Sequence, residues 1–310
     1  MAVRYEQGNA PSVRAEALAG AECCATNYSA AWDASGELIA FVVDNLLCPE
    51  GAAAVRRNAL AVVWETRDEC RTRSERFGKA MSSSSFPGVM GLPISLSTAR
   101  LMERCVHPYL QRALRSSSQY AKPGDKRTRA FSASMDLDAS FYGSVSLPPE
   151  LLQPWHRGPH IDKDEDSIGL AMVYTVTRNQ SYDVTGTAFT RIPGLPSLSQ
   201  NMGDSFHRER RLGQLERSLN RQGSLTYLAS TTAHTHRYQD VLHLVRNRYN
   251  RVVFYPTNRL HTAFIPASNL LVAEPRRGRL TLNSFWYVSD EVSLPRRGAM
   301  GSGGAGGSEL

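Results

Sequence analysis

The first part of the chain contains one short strand-like run and two longer stretches with helical spacing. Residues 38–44 are apolar and β-branched, which predicts a strand. Residues 51–64 are rich in alanine, with apolar positions three and four apart, and they predict a helix. A second helix is predicted over about 97–115. Residues 1–35 show little periodicity and are expected to form a loose or locally packed N-terminal arm.

From about residue 129 the pattern changes to short runs rich in Val, Thr, Phe and Tyr, separated by Gly, Pro and Asn. These runs predict strands joined by turns. They lie at 130–135, 141–145, 158–162, 169–177, 185–191, 251–255, 260–266 and 279–288. A stretch with helical spacing at about 204–221 is interpreted as a helical insertion between two strands. Short strands after a helical part predict an α+β fold, a β-sandwich or jelly roll with helices on one side.

We expect one domain over residues 36–290, with helical support at about 50–116 and a β core at about 129–288. The Gly- and Ser-rich end, 298–310, predicts a disordered tail. No apolar run approaches the roughly 18–20 residues that cross a bilayer, and residues 1–11 lack the apolar stretch of a secretory signal. A soluble, cytoplasmic protein with no membrane partner is therefore expected.

Charge and cysteine content add two expectations. The net charge is +7, and the arginines are spread along the chain instead of forming one block. This surface suits an anionic small molecule, and aromatic residues that stack on bases are not clustered with the arginines, which argues against nucleic acid. The five cysteines are odd in number and form no Cys-x-x-Cys pair, so reduced structural thiols are expected. They are Cys23, Cys24, Cys48, Cys70 and Cys105.

The segment most informative for chemistry is Trp-His-Arg-Gly-Pro-His-Ile-Asp-Lys-Asp at 155–164. His160 and Asp162 are two residues apart, so on a strand both side chains point the same way. His261, after the strand predicted at 252–255, can supply a third ligand. Two histidines and one carboxylate make the face that holds Fe(II) and leaves positions open. The alternative is that both histidines are core residues with satisfied hydrogen bonds.

A rival metal set also occurs. It consists of His234, His236, Asp240 and His243. Its spacing is poor, and residues 239–246 predict a short helix instead of a strand that binds metal, so this set is disfavoured.

Four segments resemble Fe(II)- and 2-oxoglutarate-dependent dioxygenases of the prolyl-hydroxylase-like branch. They are 158–162, 186–189, 260–266 and 278–286. The chain is more closely similar to an uncharacterised, mainly bacterial family within that superfamily, over about residues 40–288. The resemblance implies that the main domain is an oxygenase domain with a double-stranded β-helix, a cupin-like jelly roll. It also implies that the three residues predicted to bind Fe(II) are catalytic.

The resemblance implies further roles around the cosubstrate. Arg279 matches the residue that grips the distal carboxylate of 2-oxoglutarate, for which a guanidinium group is suited because it can bond both oxygens. Thr281 and Thr175 are expected to complete this grip. Arg279 follows the last histidine ligand by 18 positions (279 − 261), farther than in relatives, so Arg276 and Arg277 remain alternatives.

The implied reaction uses iron, O2 and 2-oxoglutarate to oxidise a C–H bond, with release of succinate and CO2. Hydroxylation, desaturation and oxidative cyclisation are the possible outcomes; the presence of Asp162 argues against halogenation because halogenases of this superfamily lack that carboxylate. Residues 200–222 and 267–276 carry arginines and are expected to rim the barrel mouth. A small carboxylate-bearing substrate is therefore favoured, such as an amino acid derivative in natural-product biosynthesis. A peptidyl or protein hydroxylase and a non-catalytic binding module are the alternatives.

Overall fold

The structure is a computed structural model that describes residues 22–25, 27–33, 37–66, 88–92, 94–116, 131–145, 162, 169–191, 240–264, 272 and 274–290. Two α-helices lie within these ranges, α1 (Pro49–Ala61) and α2 (Leu96–Ser116). The described strands are β1 (Tyr28–Trp32), β2 (Leu38–Val43), β3 (Val63–Thr66), β4 (Gly88–Leu92), β5 (Phe131–Val145), β6 (Gly169–Thr175), β7 (Gly186–Arg191), β8 (Asp240–Arg246), β9 (Val252–Pro256), β10 (His261–Phe264) and β11 (Leu280–Asp290).

The strands form two antiparallel sheets. The main sheet has eight strands in the order β1-β2-β9-β6-β11-β5-β4-β3, and the described part of the second sheet has the order β10-β7-β8. All strand pairs within both sheets are antiparallel. The described chain is therefore mostly antiparallel sheet with few helices.

The main sheet is buried on both faces, and each face has its own core. On β6, Leu170, Met172 and Tyr174 belong to the core shared with α1 and α2, whereas Ala171 and Val173 belong to the core shared with the second sheet. This division follows from the two-residue period of a strand. We call the side that faces the second sheet the inner face.

The helices follow from local sequence. Helix α1 begins with Pro49 and buries its alanine-rich side, including Ala52 and Val55. Helix α2 buries apolar residues at helical spacing, among them Met102, Val106 and Leu110. The strand predicted at 38–44 and the helix predicted at about 97–115 are confirmed. Neither helix of the described part is long and apolar enough to cross a membrane.

Two disulfides join the chain before β1 to the helical side. Cys23 bonds Cys105 in α2, and Cys24 bonds Cys48, the residue before α1. The prediction of reduced thiols is therefore wrong for these four cysteines. The adjacent pair reaches two different elements, a connection that spacing along the sequence does not reveal. Disulfides are typical of oxidising compartments, and the cytoplasmic location stays a prediction.

Strands occupy two segments where the sequence did not predict them. The N-terminal arm contains a regular strand in its last part, since β1 pairs with β2 along its whole length. The helix predicted at 239–246 is wrong, because β8 occupies this segment and pairs with β7. Tertiary pairing there overrides a weak local preference. The predicted insertion at 204–221 and the tail at 298–310 lie outside the described residues.

Candidate active site

The candidate site lies where β9 turns into β10, at the border between the two sheets. Strand β9 belongs to the main sheet and β10 to the second sheet. The turn between them closes with a hydrogen bond from the Arg259 N–H to the Pro256 carbonyl, 2.9 Å long. His261 is the first residue of β10 and is 4% exposed. The sequence thus positions this histidine by a change of sheet within five residues.

Asp162 and His261 face each other in this border region. The Nε2 atom of His261 lies 3.4 Å from Oδ2 of Asp162, and both side chains are largely buried. The Nδ1 atom lies 2.9 Å from the Arg259 carbonyl. A carbonyl only accepts, so Nδ1 carries the proton and donates it, and in the neutral ring the Nε2 lone pair is directed to the carboxylate side.

This donor pair fits a metal ion. Two ligands at right angles, each about 2.1 Å from a metal, lie roughly 3.0 Å apart, close to the 3.4 Å between Oδ2 and Nε2. A hydrogen bond from the second ring nitrogen to a carbonyl is also the usual way in which a protein orients a histidine ligand. Asp162 and His261 would hold the iron predicted from the sequence.

The third predicted ligand, His160, lies outside the described residues. Asp162 itself is described as a bend and not as a strand residue. Within the described ranges, no group of three or more His, Cys, Asp and Glu side chains could hold a metal ion. The rival set is only partly described: His243 is half-buried on β8, whereas His234 and His236 fall outside.

Tyr255, at the end of β9, is a site residue that sequence reasoning missed. Its hydroxyl lies 3.1 Å from the Nε2 atom of His261, and the two rings have centroids 4.5 Å apart. Burial raises the pKa of Tyr255 well above its usual value, and the charge of Asp162, to which it hydrogen-bonds, raises the pKa further. The phenol therefore stays protonated and can donate to the candidate ligands. Its inward position could have been predicted from the sequence, because Tyr255 lies two residues after Val253 on one strand and therefore points to the same face.

The residues predicted to bind 2-oxoglutarate lie along the inner face. Thr281 on β11 pairs directly with Thr175 on β6, and both are fully buried. Arg279 is 4% exposed. Burial of Tyr255 and the charge and hydrogen bond of Asp162 raise the pKa of Tyr255, and the positive charge of Arg279 opposes them to a smaller extent. The structure brings these three residues to one side of the main sheet.

The two alternative arginines occupy a different environment. Arg276 and Arg277 are exposed in a turn that precedes β11. Gly278 follows, and a Cβ atom there would lie 2.4 Å from the Val272 carbonyl oxygen. This close approach requires glycine at position 278, and the next residue, Arg279, is buried.

Comparison with known proteins gives one family. A family model matches residues 54–286. The chain belongs to the Family of unknown function (DUF6445). This family matches the larger part of the chain but begins inside α1, after the β1–β2 hairpin. No curated protein matches the chain.

Several solved structures share weak similarity with this DUF6445 member. One is an N-substituted L-amino acid dioxygenase from Burkholderia ambifaria AMMD, with 13% identity, 81% of this chain and 82% of that chain covered, and a TM-score of 0.32. Another is the non-haem α-ketoglutarate-dependent epimerase SnoN from nogalamycin biosynthesis, with 10% identity, 81% of this chain and 90% of that chain covered, and a TM-score of 0.34. A third is a Pseudomonas putida prolyl-4-hydroxylase, with 10% identity, 76% of this chain and 97% of that chain covered, and a TM-score of 0.28.

Proposed function

We propose that this protein is a non-haem Fe(II)- and 2-oxoglutarate-dependent oxygenase that oxidises a C–H bond of a small, carboxylate-bearing substrate. The observation that carries the proposal is the buried pair of Asp162 and His261, 3.4 Å apart. The Nδ1 atom of that histidine is hydrogen-bonded to a carbonyl, which orients Nε2 toward Asp162. His160, two residues before Asp162, would complete the set of two histidines and one carboxylate.

The architecture supports the same proposal. Two antiparallel sheets enclose an apolar interior, and the candidate ligands lie where the chain crosses from one sheet to the other. This arrangement is compatible with a double-stranded β-helix, whose barrel mouth is a common place for a ligand site.

The protein's own groups have separate tasks in this proposal. Iron, when bound, would supply the activation of O2 that allows an unreactive C–H bond to be oxidised. Tyr255 would donate a hydrogen bond to Asp162 and so help to hold this carboxylate in place. Phe189, fully buried with its ring centroid 5.2 Å from that of Tyr255, excludes water from this side.

Arg279, with Thr281 and Thr175, would bind the distal carboxylate of 2-oxoglutarate. All three are buried, and the two hydroxyls come from neighbouring strands that pair at these residues. A buried guanidinium group is a strong ligand for a carboxylate because its hydrogen bonds are charge-assisted. Succinate and CO2 would be the coproducts.

The substrate class rests on charge. The net charge of +7 favours an anionic small molecule, such as an amino acid derivative, in natural-product biosynthesis. The carboxylate at Asp162 favours hydroxylation, desaturation or oxidative cyclisation over halogenation.

The first experiment measures metal retention. Wild type, Asp162→Ala and His261→Ala are loaded anaerobically with Fe(II), desalted and analysed for iron. We expect wild type to retain iron and both variants to lose it. His243→Ala is the matched control, because His243 is half-buried on β8 and belongs to the rival set. Equal iron in wild type, Asp162→Ala and His261→Ala would refute the proposed metal centre.

The second experiment separates the arginines. Arg279→Ala removes a charge-assisted hydrogen bond worth about 1.5–3 kcal/mol, so the 2-oxoglutarate concentration for half-maximal succinate release should rise roughly 10- to 100-fold. Arg277→Ala, on the exposed turn, should leave this concentration unchanged. The opposite result would transfer the role to Arg277.

The third experiment addresses the substrate. A panel of amino acids, N-substituted amino acids and other small acids is screened for stimulated succinate release and for products changed in mass. Stimulation by peptides but by none of the small acids would replace the proposed substrate class with a peptidyl one.

A further inference from the structure

The turn at residues 256–259 holds both candidate ligands. The backbone N–H of Asp162 donates to the Thr257 carbonyl at 2.9 Å. The Nδ1–H group of His261 donates to the Arg259 carbonyl, also at 2.9 Å. One short segment of backbone therefore orients an acidic and an imidazole ligand at the same time. A shift of this turn would move the side chains of both candidate metal ligands.

This turn is fixed to the main sheet from two directions. On one side, the N–H and the hydroxyl of Thr257 both donate to the Gly169 carbonyl at the start of β6, at 3.1 and 3.3 Å. On the other side, the Arg259 side chain reaches the β1–β2 hairpin. The Arg259 guanidinium group donates to the Leu38 carbonyl at 2.9 Å.

The same guanidinium group forms ion pairs with two carboxylates of the hairpin. It lies 2.9 Å from Asp33 and 3.5 Å from Glu37, and all three side chains are nearly buried, at 10%, 13% and 12% exposure. Asp33 also accepts from the backbone N–H of Glu37 at 3.0 Å, so the hairpin itself holds the two acids in place. Such buried pairs are sensitive to loss of one partner, because the other charge remains desolvated.

We propose that Arg259 is a positioning residue for the candidate metal centre. Its side chain fixes the 256–259 turn to the hairpin, and its carbonyl directs Nε2 of His261 toward Asp162. An arginine is needed because only its planar fork reaches a carbonyl and two carboxylates together. This inference rests on the proposed metal site and extends it to Asp33 and Glu37, which lie before the segment matched by the family model.

The test compares metal affinity in four proteins: wild type, Arg259→Lys, Asp33→Asn and Asp44→Asn. The probe is Mn(II), titrated without activity and followed by the EPR signal of the free ion. Loss of partners around a metal ligand usually weakens metal binding 10- to 100-fold. We expect a weakening of about tenfold or more for Arg259→Lys, and a smaller one for Asp33→Asn, which retains Glu37.

Asp44→Asn is the control because it breaks a comparable link elsewhere on the hairpin strand. Asp44, just after β2, pairs with Arg251 through two contacts of 2.6 and 2.9 Å. Asp44 links the end of β2 to the residue before β9, whereas Asp33 links the turn between β1 and β2 to the turn after β9. We expect Asp44→Asn to lower the urea midpoint while Mn(II) affinity stays at the wild-type value.

A second measurement reports the geometry of the metal site and does not depend on the stability of the fold. Co(II) is added in place of Mn(II), and its visible ligand-field bands are compared at saturation. The bands should change in Arg259→Lys and stay unchanged in Asp44→Asn. If Arg259→Lys does not fold, Asp33→Asn and Glu37→Gln provide the same comparison with smaller disturbance.

Two failures can be told apart. Folded Arg259→Lys and Asp33→Asn proteins with wild-type Mn(II) affinity and Co(II) bands would overturn the positioning role, while loss of metal in His261→Ala would still support the metal site. Wild-type Mn(II) affinity in His261→Ala would overturn the proposed function itself.

Discussion

Removing the two disulfides should lower the stability of the fold by an amount that follows from loop length. Cys23 and Cys105 are 82 residues apart, and Cys24 and Cys48 are 24 apart. The chain-entropy relation gives about 4.5 kcal/mol for the larger loop and about 3.4 kcal/mol for the smaller one. The loops overlap, so the two values do not add. With an m-value of roughly 3 kcal/mol/M, loss of the larger bridge lowers the urea midpoint by about 1.5 M.

The assay is urea unfolding of wild type and of the double variants Cys23→Ser/Cys105→Ser and Cys24→Ser/Cys48→Ser. Reductant serves as control, because it should lower the wild-type midpoint more than that of either variant. Alkylation of the denatured, unreduced protein should label one of the five cysteines, and alkylation after reduction should label all five. Labelling of all five without reductant would refute the pairing, and equal midpoints in all proteins would refute the estimate of stability.

Three further changes test other contacts. Tyr255→Phe keeps the ring but removes the hydroxyl beside the candidate ligands, so Mn(II) affinity should fall about tenfold while the urea midpoint changes little; an unchanged affinity would remove Tyr255 from the site. Asn250 has a φ of 64° and two hydrogen bonds with the backbone of Leu47, at 3.0 and 2.7 Å. Asn250→Ala should therefore lower the unfolding free energy by about 3 kcal/mol, and Asn250→Gly by about 1 kcal/mol less, because glycine adopts a positive φ without strain. Equal losses in the two variants would contradict a contribution from the positive φ. Arg251 lowers the pKa of Asp44. The ion pair therefore stabilises the fold at pH values above the pKa of Asp44 in the unfolded chain, and this stabilisation is lost as the pH falls through the lower pKa of Asp44 in the folded protein. In Asp44→Asn, the loss of stability between about pH 5 and about pH 3 should be smaller than in wild type, and an identical loss would contradict this.

Regular elements with strong periodicity could be predicted from the sequence. The strand at 38–43 is buried at all six positions, the helix at 96–116 buries apolar residues at helical spacing, and the sequence patterns of both indicated this. The strand at 240–246 was missed because its conformation depends on pairing with β7, a contact that local sequence does not encode. The disulfides were missed for a similar reason, since proximity of the cysteines arises only when α1 and α2 cover the sheet.

The candidate site could be predicted only in part. Asp162 and His261 carry side chains typical of metal ligands, and the structure brings them within 3.4 Å of each other. Tyr255 and Arg259 were not identified, because one contributes a hydroxyl from an ordinary buried strand and the other forms ion pairs with a hairpin that is distant along the chain. Their roles depend on distances across the sheet and not on spacing along the chain.

The β1–β2 hairpin also protects the main sheet from association with other chains. Strand β2 pairs with β9, whose five residues are all buried. A fragment that began at residue 54, where the family match starts, would leave β9 at the border of the sheet with one row of unpaired N–H and C=O groups. A flat, apolar border strand of this kind recruits further strands and leads to aggregation. The start of the family match is therefore not a suitable boundary for a shortened protein, and soluble fragments should retain the hairpin.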